Sequence, residues 1–147
     1  MMTPIKNCMT QDHRRCDDIF AEVEQAVEAH EWDRASAAFS SFANAMRLHF
    51  AAEEELLFPA FEAKSGMTMG PTQVMRDEHA QMKELMASAH DALSAKDADD
   101  YSGNADTLLI MMQQHNMKEE NVLYPMCDDH LIDQVDALLP QLHLKLK

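Results

Sequence analysis

One eleven-residue phrase occurs twice in this chain of 147 residues, and its recurrence sets the fold. The first copy is His49-Phe-Ala-Ala-Glu53-Glu54-Glu-Leu-Leu57-Phe58-Pro59. The second, sixty-six positions later, is His115-Asn-Met-Lys-Glu119-Glu120-Asn-Val-Leu123-Tyr124-Pro125. Met46 and Met112 keep the same offset, as do Asp12-His13 and Glu78-His79. A unit of this length accommodates two helices and their turns, so its doubling predicts two helical hairpins packed as an up-down-up-down four-helix bundle. Each half supplies one lone histidine and one His-x-x-x-Glu. Four imidazoles and two carboxylates at symmetric positions form a donor set for a pair of transition metals.

Composition agrees with an all-α fold. Only 3 glycines and 5 prolines interrupt a chain rich in Ala, Leu, Met and Glu, a mix that favours helices over a turn-rich sheet. Its 147 residues suit a single domain (residues 1–147), with the bundle over about 8–130 and a short fifth helix over about 131–146. Twelve basic residues against 26 acidic ones give a net charge of −14, which repels phosphate backbones and anionic lipid and argues against nucleic-acid or membrane partners. The N-terminal stretch through Cys8 has no apolar run of leader length, and no later segment reads as a membrane span. Cys8, Cys16 and Cys127 form no C-x-x-C pair, so free thiols in a reducing cytoplasm are expected. The 13 methionines read as adaptable core filler.

Apolar residues recur at alternating steps of three and four, the seam of a bundle helix. The first helix presents His13, Cys16, Phe20, Val23 and Val27; the second Phe39, Phe42, Met46, His49, Glu53, Leu56 and Ala60. The third presents Met75, His79, Met82, Met86, Ala89 and Leu93; the fourth Tyr101, Ala105, Leu108, Met112, His115, Glu119, Val122 and Met126. An N-cap is expected at Asp33, a loop from Lys64 to Pro71, and a third connection from Lys96 to Gly103. Pro59 and Pro125 are expected to kink or end their helices, and Pro140 to interrupt the fifth.

Hairpin arithmetic brings the six polar seam residues to one level. His13 and His49 lie eighteen residues either side of position 31, and His79 and His115 eighteen either side of position 97. His79 and the middle of His49–Glu53 are equidistant from position 65. The shared layer stands roughly 27 Å from the outer turns at about 1.5 Å per residue. Two buried carboxylates without counter-charge would cost several kcal/mol each. Two divalent cations would offset that cost and take the imidazoles as neutral ligands. The expected ligands are His13, His49, Glu53, His79, His115 and Glu119. One ion takes His13 and His49, the other His79 and His115, and both glutamates bridge. Imidazole and carboxylate suit iron, manganese or zinc, and the missing thiolate set argues against structural zinc. Two nitrogens and two bridging oxygens per ion leave room for an oxo or hydroxo bridge and a small exogenous ligand.

The pattern His…His-x-x-x-Glu…His…His-x-x-x-Glu, with both Glu-Glu-x-x-Leu-aromatic-Pro extensions, resembles the hemerythrin-like cation-binding (HHE) family over about residues 8–130. The resemblance implies a four-helix bundle with a non-haem di-iron centre on the six residues named. Oxygen carriers of that family have a further histidine where this chain has Lys83, and their fourth-helix carboxylate is an Asp at longer spacing. Those departures point away from reversible carriage and toward the bacterial four-His, two-Glu branch, which includes proteins implicated in iron-sulfur repair and in nitric oxide or peroxide chemistry. The repair proteins often carry an adjacent-cysteine domain, which Cys8 and Cys16 do not form.

Other residues have plainer expected roles. His30, His90, His130 and His143 fall outside the repeat, and His90 is expected as a polar core or rim residue. Cys16 is expected to pack, Lys83 to make a surface ion pair, and Tyr124 could offer a hydroxyl near the centre. Glu54 and Glu120 are either partners behind the ligands or a solvated face. The function expected is binding, with possible reduction or transformation, of a small oxidant: dioxygen, peroxide or nitric oxide. The alternative is an oxygen or iron sensor, or an iron donor, without turnover.

Overall fold

The computed structural model describes residues 3–147; Met1 and Met2 lie outside them. Helix α1 spans Pro4–Glu28, α2 Trp32–Ala52, α3 Phe58–Ser65, α4 Pro71–Ser94, α5 Ala98–Lys118, α6 Tyr124–His130 and α7 Val135–Lys145. Two π-helical turns, Glu53–Leu57 and Glu119–Leu123, join α2 to α3 and α5 to α6 without a break. Four long rods and a closing helix result, an all-α helical bundle.

The two hairpins fold about the centres the repeat anticipates. Phe20 stacks on Phe42 at 4.6 Å, and His13 meets His49 at 4.6 Å, both pairs equidistant from position 31. α1 packs along α2, and α4 along α5; α1 also meets α5 and α6, while α2 meets α4. α1 and α4 both end on a left-handed residue, His30 and Lys96, each with φ 55° and sixty-six positions apart. The amide after each reaches back to Ala26 or Ala92, closing the last turn.

Local chemistry explains most boundaries. Gly66, at φ 76°, terminates α3 in the left-handed conformation that glycine adopts without strain. Pro71 opens α4 where its missing N–H has no helical role. Asp97 caps α5 by accepting the Asp100 amide at 3.0 Å, so the third connection is shorter than expected and Gly103 lies inside the helix. Asp33 is not a cap: α2 begins one residue earlier, with Glu31 at the boundary. Asp128, on α6, caps α1 from the far end of the chain, accepting the Ile5 and Lys6 amides at 2.9 and 3.1 Å.

The prolines bend nothing to a stop. Pro59 and Pro125 follow the π turns, where the Phe58 and Tyr124 amides reach back five residues to the Glu53 and Glu119 carbonyls. The wider turn accommodates each ring and lets the rod continue. It also adds a residue to the phase. Beyond each glutamate the buried residues are therefore Leu57, Phe58 and Phe61, and Leu123, Tyr124 and Cys127. Leu56, Ala60 and Met126, expected on the seam, are only half-buried, and Val122 is 53% exposed. Likewise α7 tolerates Pro140 internally, with Leu138 and Leu142 facing the bundle.

The core divides in two. One apolar cluster, from Cys16 and Phe20 to Leu108 and Met112, fills the end nearest the hairpin turns. Another, from Ile5 and Met9 through Phe58, Phe61 and Tyr124 to Leu142, fills the end that α7 closes. Burying each large side chain contributes roughly 1.5–3 kcal/mol, and Phe42→Ala would cost about 3–5 kcal/mol. Between the clusters lies the one layer that apolar packing cannot fill.

Candidate metal centre

All six sequence-expected ligands converge in that layer, and all are buried: His13, His49, Glu53, His79, His115 and Glu119. Their donor atoms form two groups, each within 4.8 Å: Glu53, His79, His115 and Glu119 in one, His13, His49 and Glu119 in the other. Glu119 thus belongs to both. Glu53 belongs to one, though its Oε1 stands 3.5 Å from His49 Nε2.

What fixes the imidazoles is a carboxylate behind each ring. His49 Nδ1 lies 2.8 Å from Asp12 and His115 Nδ1 2.8 Å from Glu78. His13 Nδ1 lies 2.7 Å from Glu120 and His79 Nδ1 2.6 Å from Glu54. With the ring neutral, as ligation requires, and its Nδ1 proton donated outward, every Nε2 turns a lone pair into the layer. The four acids themselves obey the sixty-six-residue repeat, so Glu54 and Glu120 are partners of the ring nitrogens rather than a solvated face. Arg15 braces Asp12 at 2.8 Å, and Lys118 braces Glu78 at 2.5 Å.

The layer fits cations better than hydrogen bonds. His79 Nε2 approaches Glu53 Oε1 to 3.0 Å, and His115 Nε2 approaches Glu119 Oε1 to 3.2 Å. Yet Glu53 Oε1, Glu119 Oε2 and both of those Nε2 atoms lack a hydrogen-bond partner. The contacts are short but the angles are wrong for a shared proton. These are four of the six buried side-chain atoms so orphaned among the described residues, which singles out this layer. Lone pairs aimed at a common space are what a metal satisfies. Burial, and then the neighbouring Glu119, push the Glu53 carboxyl up; burial also opposes ionisation of Glu119, but the Glu53 hydrogen bond and the histidines hold it well below its ordinary value. The two carboxyls cannot both carry bare charge there comfortably.

The least expected participant is Tyr124, whose possible hydroxyl near the centre is realised directly. Tyr124 Oη lies 2.8 Å from Glu53 Oε2, 3.0 Å from Glu119 Oε1, 3.1 Å from His13 Nε2 and 3.3 Å from His49 Nε2. In an unbroken α-helix, residues five apart would point about 140° away from each other. The π turn brings Tyr124 round to the face of Glu119. The proline six residues after each glutamate was the available sequence signal for that turn. Phe58, the counterpart of Tyr124, stacks near His79 at 5.9 Å, and Phe50 stacks on the same ring at 4.1 Å.

The remaining residues stay outside. Cys16 is packed in the apolar cluster, and burial pushes its thiol up to about 12, so it is uncharged near neutrality. Cys8 and Cys127 are likewise buried and free. His90 is on the surface rather than in the core, with its side chain 64% exposed. Lys83 makes no ion pair among the described residues; its ammonium sits over the Phe50 ring at 5.8 Å.

A buried, symmetric array of imidazoles and carboxylates in a helical bundle defines a cation-binding bundle protein. The family model for the hemerythrin HHE cation binding domain matches residues 6–127, and the chain belongs to that family. Searches of the curated proteins and of the solved structures gave no match. No helix among the described residues is long and apolar enough to cross a membrane.

Proposed function

We propose that this cation-binding protein carries two iron ions on His13, His49, Glu53, His79, His115 and Glu119, and uses them to bind and transform a small oxidant. The candidates are dioxygen, peroxide and nitric oxide. The observation that carries the reading is the donor count in a sealed layer. Two groups of three and four donors share Glu119, which leaves a six-coordinate ion with positions no side chain fills. A purely structural site is normally closed by its protein ligands. Iron bound there would supply electrons and an open coordination position for a small ligand. The chain's own residues do the rest: Asp12, Glu54, Glu78 and Glu120 hold the rings with Nε2 inward, and Phe50, Phe58 and Leu123 keep bulk water from the layer. Lys83 in place of the carriers' extra histidine supports reaction over reversible carriage, and the four-His, two-Glu count supports the bacterial branch. A cytoplasmic location is part of the proposal, and the three free cysteines support it.

The alternative, an iron sensor or donor that includes iron-sulfur repair, draws support from the way both hairpins contribute to each donor group, which ties occupancy to the integrity of the bundle. The test loads the protein anaerobically with ferrous iron, counts the iron, and follows spectra and iron content through additions of air, peroxide and nitric oxide. Oxidant consumed over many equivalents with two irons retained supports the first reading. Iron released after one addition supports the second. A full complement of iron that none of the three agents alters would overturn the oxidant chemistry.

A further inference from the structure

The two halves of the layer are not equivalent, and the difference is one oxygen atom. Position 58 of the first repeat is Phe; the matching position of the second is Tyr124. Phe58 offers the His79 side only a ring face. Tyr124 offers the His13 side an oxygen at the centre of four polar atoms, 2.8–3.3 Å away. Tyr124 is fully buried, and its hydroxyl can reach no solvent.

Hydrogen bonding does not account for this cluster in the state that binds metal, where the imidazoles must be neutral. Once the His13 and His49 rings are neutral, as metal ligands must be, and each Nδ1 is turned to a carboxylate, their Nε2 atoms are acceptors, and so are the oxygens of Glu53 and Glu119. Four acceptors therefore surround a hydroxyl that has a single proton to give. Three of the four contacts must go without it. Donors sharing one first-row cation at about 2.1 Å stand roughly 3 Å apart, which is the spacing found. The donor grouping supplies independent support: His79 and His115 have both glutamates, whereas His13 and His49 are grouped with Glu119 alone. That second group lacks one donor relative to the first, and Oη stands where it is lacking.

Resting on the di-iron reading, we propose that Tyr124 is a seventh protein ligand, binding through Oη the ion held by His13 and His49 and leaving the ion at His79 and His115 without a phenolic donor. The centre is then built unequal: one ion has His13, His49, Glu119 and Tyr124, the other has His79, His115, Glu53 and Glu119. Binding of the cation displaces the phenolic proton, and the resulting hard, anionic oxygen favours the ferric state of the first ion and leaves the second as the more open position for an exogenous ligand. The π turn at Glu119–Leu123 is the backbone device that delivers this ligand.

The chain has 2 tyrosines, and Tyr101 lies in the other apolar cluster, so an optical test can be assigned. The full chain, Tyr124→Phe and Tyr101→Phe are loaded with ferrous iron, oxidised in air and measured for iron per chain, visible absorption and resonance Raman scattering. The expected result is a tyrosinate-to-ferric charge-transfer band with ring-mode Raman enhancement in the unmodified protein and in Tyr101→Phe, and its complete loss in Tyr124→Phe. Since Phe58 already packs at the equivalent position, Tyr124→Phe should still fold and take up iron. If it does not fold, the band in Tyr101→Phe decides alone, because Tyr124 is then the sole tyrosine. Two irons per chain with no tyrosinate band overturns the ligand while leaving the di-iron reading intact. One iron per chain, rising to two in Tyr124→Phe, overturns both, since the hydroxyl would then be plugging a vacant place. No iron uptake by the unmodified protein also overturns both.

Discussion

Asp12 Oδ2 stands 2.8 Å from His49 Nδ1, and the acid is held in turn by Arg15, whose guanidinium also reaches the Leu146 carbonyl at 3.2 Å. The ring that faces the metal layer is thus oriented by a chain of contacts running out to the C-terminal helix. Removing the acid frees the imidazole to rotate and to change tautomer. Asp12→Ala should weaken binding of one cation about 10–100-fold. Competition with a chelator measures this, and an unchanged affinity would remove the orienting role.

Protonation makes a second expectation. Burial works to lower His13 and His79, but Glu119 and Glu120 around the first, and Glu53 and Glu54 around the second, raise them to about 10 and about 9 from 6.5. A histidine raised on folding stabilises fully below its unfolded value and loses that contribution as pH climbs through the folded one. The metal-free protein should therefore lose stability progressively between pH 6.5 and about 10 as the buried carboxylates lose their cationic partners. Cations replace those protons, so the loaded protein should melt higher and show a flatter profile over the same range. Melting temperatures across that range, with and without chelator, decide it; superimposable curves would contradict the buried centre.

Much of this architecture could be read directly from residue spacing. The sixty-six-residue offset located both hairpins and all six inward-facing donors, and it runs through all four orienting acids, of which spacing suggested a place behind the ligands only for Glu54 and Glu120. Phase was lost past Glu53 and Glu119. Counting at 3.6 residues per turn put Leu56 and Val122 inside, whereas the π turns put Leu57 and Leu123 there. Tyr124 was legible as a residue but not as a direction, since its aim depends on that one extra residue. Caps were missed for a different reason. Asp128 reaches the first turn of α1 across more than a hundred residues, and local sequence carries no trace of such a contact.

That contact gives a third expectation. Thr3, which precedes α1, makes no side-chain cap bond, so Asp128 alone supplies carboxylate acceptors to the Ile5 and Lys6 amides. Asp128→Ala should destabilise the fold by about 1–2 kcal/mol, and Asp128→Asn by less because it retains one acceptor. Denaturant unfolding distinguishes them; equal losses would mean that packing, not capping, is lost.

A fourth concerns Lys96, held at φ 55° at the end of α4 with its side chain exposed. A side chain in the left-handed region costs about 1 kcal/mol or more, and glycine relieves it. Lys96→Gly should raise stability by about 0.5–1 kcal/mol after the added freedom of the unfolded chain is subtracted. Unfolding midpoints test the sign, and a loss would show that the lysine stem packs usefully.

The Gly66–Gly70 connection separates two hairpins, and each donor group takes residues from both: Glu53 joins His79 and His115, while Glu119 joins His13 and His49. Neither hairpin alone can assemble either group. A chain cut within that connection would therefore yield two complementing fragments, and the cations would be the rivets that hold them together. Fragment reassembly would become a titration of metal, with a chelator prising the halves apart.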